Sequence, residues 1–273
     1  MKWYSKYLEV FEHSSKEIPN TIKDRIANQI RTVMPKEAPL CSVIAIAHNE
    51  ETHILGCLWS LADNICDFPF EIIVVNNHST DATEQLLKEV GVTYYNEEKQ
   101  SPGFARQCGL NHAYGKYHIC IDADTLYPPH YIATHLKYLE QPGIVCTYGL
   151  WSFLPDEKYT KTGLFFYESL RDLYLLLQNI KRPELVVRGM VLAFHTESAR
   201  KVGFRTDVIR GEDGKMALGL KQYGKLKFIK SHKVRAVTNN SILNNKGRLI
   251  NNIWFRIKKG VKNFKLLLTT KTE

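Results

Sequence analysis

Apolar residues follow two alternating patterns between residues 39 and 124. The runs Pro39–Ala47, Phe70–Val75, Val92–Tyr95 and Tyr117–Ile121 are short and nearly continuous, as in strands buried on both faces. Between them, apolar positions recur every three or four residues. Ile54, Leu58 and Leu61 mark a helix over 50–63, and Leu86 and Leu87 lie on one that opens at Ser79-Thr-Asp-Ala-Thr-Glu84. A third helix runs from Gly103 to Tyr114 and stops at Gly115. Four strand–helix alternations at this spacing predict a parallel, doubly wound sheet with right-handed crossovers.

Beyond residue 124 the alternation is less regular. Strands are expected at Ile144–Ser152 and Val186–Phe194. Helices are expected from near Pro128, over Tyr159–Ile180, at Thr196–Val202 and over Gly211–Tyr223. Residues 1–38 read as a helical extension, with Tyr4, Leu8, Phe11, Ile22, Ile26 and Ile30 at helical spacing, closed by Pro35 and Pro39. At the other end Ile250, Ile253, Trp254, Ile257, Val261, Phe264 and Leu268 form an apolar stripe. Lys258, Lys259, Lys262 and Lys265 lie mostly off it. That pattern suits a helix packed on its own domain or one lying in a membrane interface. The expected division is a 1–38 extension, a 39–240 α/β domain with halves 39–125 and 126–240, and a 241–273 basic helix.

Charge sharpens the reading of that C-terminal end. Of the net charge of +9, residues 225–273 carry 13 Lys or Arg against one acid, or +12, and the other 224 residues carry −3. A polarised basic end points to an anionic surface. The chain is 44% hydrophobic, enough for a substantial core, and no apolar run reaches the ~18–20 residues that span a bilayer. The beginning of the chain has no signal-peptide pattern. Its six cysteines show neither a C-x-x-C pair nor metal-ligand spacing, so the expected setting is the reducing cytoplasm.

The candidate chemistry begins where the Tyr117–Ile121 run ends, at Asp122-Ala123-Asp124. Ligands bind open α/β sheets beyond the carboxyl ends of the strands. Two acids so close repel unless a cation or hydrogen bonds hold them. Hard cations such as Mg²⁺ take one or two carboxylates together with substrate phosphates. Taken alone, the same motif serves equally well as an Asp-rich turn before a helix.

Four segments in order resemble family 2 glycosyltransferases, inverting enzymes that use nucleotide sugars. They are Ser42–Glu50 with its His48-Asn49-Glu50 turn, Glu71–Asp81, Gly103–Asp124, and Gly211-Glu212-Asp213 opening a helix. The resemblance implies a GT-A fold, an α/β architecture with a Rossmann-like, mostly parallel central sheet flanked by helices. It implies transfer of a sugar to a hydroxyl acceptor, with a role in cell-surface polysaccharide, lipopolysaccharide or glycolipid synthesis. Mn²⁺ or Mg²⁺ would sit on Asp124, assisted by Asp122. Ala47, His48, Asn49, Glu50, Asn76, Asn77, Gly103, Arg106 and Asp122 would border the donor, and Gly189 and Met190 the acceptor. Asp213 would be the general base and Glu212 its support.

The implied partners are a nucleotide-sugar donor, most readily a UDP-sugar, and a saccharide or lipid-linked acceptor. No nucleic acid is expected, and the basic end would rest on the inner face of the cell membrane. Two positions depart from the family pattern: Asn76 replaces an acid and His48 an aromatic residue, both bearing on donor choice. A sugar nucleotidyltransferase would need a Gly-rich basic loop after the first strand, whereas His48-Asn-Glu-Glu-Thr is acidic. A degenerate, binding-only scaffold is the other alternative.

Overall fold

A computed structural model describes residues 2–208 and 211–244. The C-terminal basic helix expected over 241–273, with its apolar stripe, lies outside the described residues from 245 onward. In chain order the elements are α1 (Asn20–Val33), β1 (Cys41–Ala47), α2 (Ile54–Ala62), β2 (Phe70–Asn76), α3 (Thr83–Val90), β3 (Thr93–Asn96), α4 (Pro102–His112) and β4 (Tyr117–Asp122). Then come β5 (Thr125–Leu126), α5 (Tyr131–Leu139), β6 (Ile144–Tyr148), β7 (Trp151–Phe153), α6 (Lys161–Lys181), β8 (Leu192–His195), α7 (Thr196–Val202), α8 (Glu212–Leu220), β9 (Lys225–Phe228), β10 (Ala236–Thr238) and α9 (Ser241–Asn244).

Two compact units are distinguished. Of the described residues, 2–152 with 178–208 and 211–238 form one, and 153–177 with 239–244 form the other. The first holds a seven-stranded sheet in the order β3-β2-β1-β4-β8-β6-β9. β1, β2, β3 and β4 pair in parallel, as the alternating pattern predicts, and β1 and β2 are buried along their length save the half-buried Ile46, as in strands covered on both faces. β8 runs antiparallel to both β4 and β6. Residues 2–38 belong to this unit: Tyr7, Val10, Phe11, Ile26 and Ile30 are buried, and the Tyr7 hydroxyl donates to Asp63.

Register aligns the strand ends. Ala47 stands opposite Asn76 on one side, and Ile46 opposite Asp122 on the other, so β1, β2 and β4 finish along one edge of the sheet. Because β8 is antiparallel to β4, the residues just before Leu192 reach the same edge. α4 lies close to β1. A Cβ added at Gly109 would stand 2.3 Å from Ile44 Cγ2, so this helix position tolerates only hydrogen.

In the second unit, Phe153 accepts the Arg171 guanidinium over its ring, and Asn240 donates to the Leu154 carbonyl and Asp156. Along α6 Leu164, Tyr167 and Leu175 are buried, while Phe165, Phe166, Leu173 and Leu177 are exposed. No helix among the described residues is long and apolar enough to cross a membrane.

Several elements differ from expectation. The strand expected at Ile144–Ser152 is two strands, parted at Gly149-Leu150. The strand expected from Val186 begins only at Leu192, after a 3-10 turn over Gly189–Val191. α3 starts at Thr83 rather than Ser79, because Ser79, Thr80 and Asp81 are engaged with the loop after β1. Ser79 Oγ accepts from Asn49 N–H, Asn49 Oδ1 accepts from Thr80 N–H, and Asp81 accepts from Glu51 N–H.

The α4–β1 contact gives the first prediction. Gly109→Ala forces Ile44 or the helix to move and is expected to lower unfolding stability by about 1–3 kcal/mol. Denaturant unfolding of the two proteins checks this; an unchanged midpoint and slope would mean the contact yields at no cost.

Candidate functional site

The carboxyl edge of β1, β2 and β4 floors a cavity of about 720 Å³ within the first unit. Its walls come from the loops that leave these strands, from the first turn of α4 and from the first turn of α8. Ala47, His48, Glu50, Asn77, Asp122 and Asp124 line it, as do Arg106, Glu212 and Asp213. Nine of the residues singled out in the sequence thus meet around one space, brought there by strand register and by two helix starts.

The other five sit around that space without lining it. Asn49 is exposed in the left-handed region (φ 56°), where its short side chain staples the neighbouring loop. Asn76 is buried and donates to Asn96 Oδ1, tying β2 to β3. Gly103 lets α4 approach residues 205–206; a Cβ there would stand 2.3 Å from the Arg205 carbonyl oxygen. Met190 is buried, and its carbonyl accepts from the Tyr131 hydroxyl. Gly189 is buried too, with its N–H on Asp213 Oδ2 at 2.7 Å.

His48 is held on both sides of its ring. Nδ1 lies 2.8 Å from the Asn77 carbonyl oxygen and Nε2 2.8 Å from Gln100 Nε2. The tautomer that satisfies both has Nδ1–H donating to the carbonyl and Nε2 accepting from the amide. Asn77 in turn donates to the Glu97 and Lys99 carbonyls. Glu50 pairs with His53 Nδ1 at 2.7 Å. Burial works against a charged His53 ring, but the Glu50 hydrogen bond and charge, with Asp124 behind them, raise its pKa.

Asp124 is accessible from the cavity yet deep enough for desolvation to dominate. Burial first, then the negative charges of Asp122 and Glu50, push its pKa up to about 7. Its Oδ1 accepts from the Thr125 hydroxyl. A buried Asp124 crowded by the charges of Asp122 and Glu50 is the electrostatic condition that a bound cation relieves. Among the described residues no group of three or more Asp, Glu, His or Cys is arranged as a metal cage. The donors present therefore fit a hard divalent cation that shares its coordination with phosphate oxygens, not one enclosed by protein ligands.

Arg106, beside Asp122, is 3% exposed. Nη2 donates to Asp122 Oδ1 at 2.5 Å, Nη1 to the Ile121 carbonyl at 3.2 Å, and Nε lies 3.2 Å from Asp213 Oδ1. Burial opposes its charge, but Asp122 and then Asp213 outweigh burial and hold its pKa well above the ordinary value. Burial and the neighbouring Asp213 carboxylate raise the pKa of Glu212.

Further lining residues lie outside the motifs singled out in the sequence, among them Gln100, Ser101, Pro102 and Asp207. Gln100, Ser101 and Pro102 open α4, where Ser101 Oγ caps the Phe104 N–H and Pro102 takes the first turn. A Ser-Pro helix start is a readable signal that places the helix one residue earlier than expected. Asp207, paired with Arg205, lines the cavity from a loop with no periodic pattern.

α8 is anchored from behind. Glu184, buried in a 3-10 turn, accepts from Arg182 Nε at 2.5 Å and Lys221 Nζ at 2.6 Å. Burial alone would raise its pKa, but the hydrogen bonds from Lys221 and Arg182 outweigh burial and bring it down to about 2.

Residues 42–203, more than half of the chain, match the family model described as Glycosyl transferase family 2. The chain is similar to glycosyltransferase GlyA of Streptococcus pneumoniae, 30% identical over 139 residues, which is 49% of this chain and 19% of that protein. It is similar to an uncharacterized glycosyltransferase of Methanocaldococcus jannaschii, 24% identical over 190 residues, 65% of this chain and 63% of that one. The chain thus spans about a fifth of the first relative's length and less than two thirds of the second's.

Two solved structures share the architecture. One is the mannosyltransferase PcManGT from Pyrobaculum calidifontis in complex with GDP-Man and Mn²⁺ (TM-score 0.56, 20% identity, 80% of this chain and 68% of that one). The other is glucosyl-3-phosphoglycerate synthase from Mycobacterium tuberculosis with Mn²⁺, UDP-glucose and phosphoglyceric acid (TM-score 0.56, 19% identity, 90% and 84%). These likenesses show the fold, which is GT-A.

The Glu184 anchor predicts a pH dependence. Its folded pKa lies below the ordinary 4.5, so its contribution is complete above that value and is lost as pH falls from 4.5 toward 2. Glu184→Gln is expected to cost about 1–3 kcal/mol at pH 7 and to flatten the loss of stability between pH 5 and 3. Unfolding free energies across that window check it; parallel curves for both proteins would refute the anchor.

Proposed function

The chain belongs to glycosyl transferase family 2, and on that premise we propose that it moves a sugar from a nucleoside-diphosphate sugar to an acceptor hydroxyl, inverting the anomeric carbon. The observation that carries this reading is the meeting of two carboxylate pairs, Asp122 with Asp124 and Glu212 with Asp213, around one cavity at the sheet's carboxyl edge.

Each group has a part that its place favours. Asp124, assisted by Asp122, would hold a divalent cation, Mn²⁺ or Mg²⁺. When bound, that ion stabilises negative charge gathering on the departing diphosphate. His48, Asn77 and Gln100 border the nucleotide, with the His48 ring set by its two hydrogen bonds. Asp213 takes the proton from the acceptor hydroxyl as its oxygen closes on the anomeric carbon, and the nucleoside diphosphate leaves from the opposite face. The Gly189 N–H holds one Asp213 oxygen, and the other lacks an aligned donor. Glu212, buried beside it, shapes the acceptor side. A saccharide or lipid-linked acceptor is the reading for cell-surface glycan synthesis. The net +12 over residues 225–273 favours work at the inner face of an anionic membrane.

Two measurements test the reading. A panel of nucleotide sugars with Mn²⁺ is expected to yield nucleoside diphosphate release that excess chelator abolishes. Asp124→Asn is expected to lose turnover by several orders of magnitude and to lose Mn²⁺-dependent UDP binding while keeping the wild-type melting temperature. Full activity of that variant would remove Asp124 from the metal site.

The carboxylate roles are separable. Asp213→Asn is expected to lower transfer about 10²–10⁴-fold while leaving UDP affinity intact. Glu212→Gln should have a smaller effect, mainly on acceptor KM. A dead Glu212→Gln beside a normal Asp213→Asn would reverse the assignment.

A further inference from the structure

Between Asp122 and Asp213 the cavity is built around a cation that the chemistry above leaves without a part. Arg106 was expected to border the nucleotide, but its donors are directed elsewhere. Nη1 is on the Ile121 carbonyl, Nη2 on Asp122, and Nε faces Asp213 at 3.2 Å. A guanidinium recognises phosphate best through two parallel N–H bonds from one edge. Here the edges are turned to the end of β4 and the first turn of α8.

Gly189 is the second, independent observation. A Cβ at this position would stand 1.9 Å from Arg106 Nη2 and 2.8 Å from Asp213 Oδ1. The glycine therefore leaves the room in which guanidinium and carboxylate meet, and its own N–H holds the other Asp213 oxygen at 2.7 Å. The 3-10 turn over Gly189–Val191, which shortens β8, brings that N–H to the acid. The Arg106–Asp213 contact is an ion pair without hydrogen-bond alignment: both Nε and Oδ1 are buried and lack an aligned partner. The acid is thus held by charge and by one backbone donor, with one oxygen not committed to a hydrogen bond.

We infer that Arg106 is a positioning residue: with the Gly189 N–H it sets Asp213 at a fixed place relative to Asp122, joining the base to the donor-binding edge of the sheet. The inference rests on the reading of Asp213 as the base. It makes Arg106 matter to turnover more than to nucleotide affinity. Displacement of a catalytic group by about 1 Å can cost roughly 10²-fold in rate.

The test compares Arg106→Lys, Arg106→Ala and Gly189→Ala with wild type in the full chain. Calorimetry gives UDP affinity with Mn²⁺, steady-state kinetics give kcat and KM, and hydrogen exchange follows the amides of Lys215–Ala217. All three variants are expected to lower kcat about 10²-fold while UDP affinity moves less than about threefold. Arg106→Lys should retain more than Arg106→Ala, and added guanidinium ion should restore part of the Arg106→Ala loss. Exchange at Lys215–Ala217 should quicken, with His118–Ile121 unaffected. UDP affinity falling in step with kcat would make Arg106 a nucleotide contact and overturn the inference, as would unchanged kcat in Gly189→Ala. If Arg106→Ala fails to fold, Arg106→Lys and Gly189→Ala decide. If wild type releases no nucleoside diphosphate from any sugar, the proposed function fails. Exchange then still decides this inference: faster exchange at Lys215–Ala217 supports the tether, and no change refutes it.

Discussion

A guanidinium sealed from water with no partner would be costlier than the fold can carry, and Arg106 is 3% exposed. Its charge is met by Asp122 at the end of β4 and Asp213 at the start of α8. Neither acid alone suffices for the arrangement seen, because the cation lies between them. Strand, helix start and the turn bearing Gly189 must all close on the same point. The cavity's acidic character follows from this. Asp122, which balances the buried cation, is also close to Asp124, and burial together with the charges of Asp122 and Glu50 drives Asp124 toward the neutral form near pH 7.

The sheet supplies the geometry for that closure. Parallel pairing of β1 with β2 and β4 brings three carboxyl ends level, and the antiparallel entry of β8 returns the chain to the same edge from the other direction. Two kinds of connection therefore feed one site. The loops after β1, β2 and β4 come from the regular half, and the turn before β8 and the start of α8 come from the irregular half. Behind the second set, Glu184 ties α8 to the turn ahead of Gly189 through Lys221 and Arg182.

The regular half was legible because its strands are covered on both faces, so burial and sequence hydrophobicity coincide from Cys41 to Ala47 and from Phe70 to Asn76. β9 has no apolar run to mark it, because it is an edge strand in which exposed lysines alternate with half-buried residues, Lys225 and Lys227 against Leu226 and Phe228. β8 is shorter than its sequence suggests: Val186–Val191 is largely apolar, yet the chain makes a 3-10 turn over Gly189–Val191, where Arg106 packs against the glycine. Ser79 and Thr80 read as helix caps, but they hold a neighbouring loop whose nearness no local pattern encodes. The acids of the site were readable as motifs. The burial of Arg106 was not, since on α4 alone it has the spacing of a solvated helix charge and its partners arrive from distant segments.

The order of the strands also bears on how the chain is made. Synthesis releases β1 to β4 as one contiguous stretch with its parallel pairings complete, but β4 at that stage has an open flank where β8 belongs. Arg106 then has Asp122 without Asp213, and the charge it must bury is only half matched. A nascent chain halted before residue 213 is therefore left with an exposed strand edge and a cation unsuited to its interior, both marks of a species that associates wrongly. The regular half looks self-sufficient by its alternation, yet both the strand that covers the flank of β4 and the acid that completes the charge balance of Arg106 come from later in the chain.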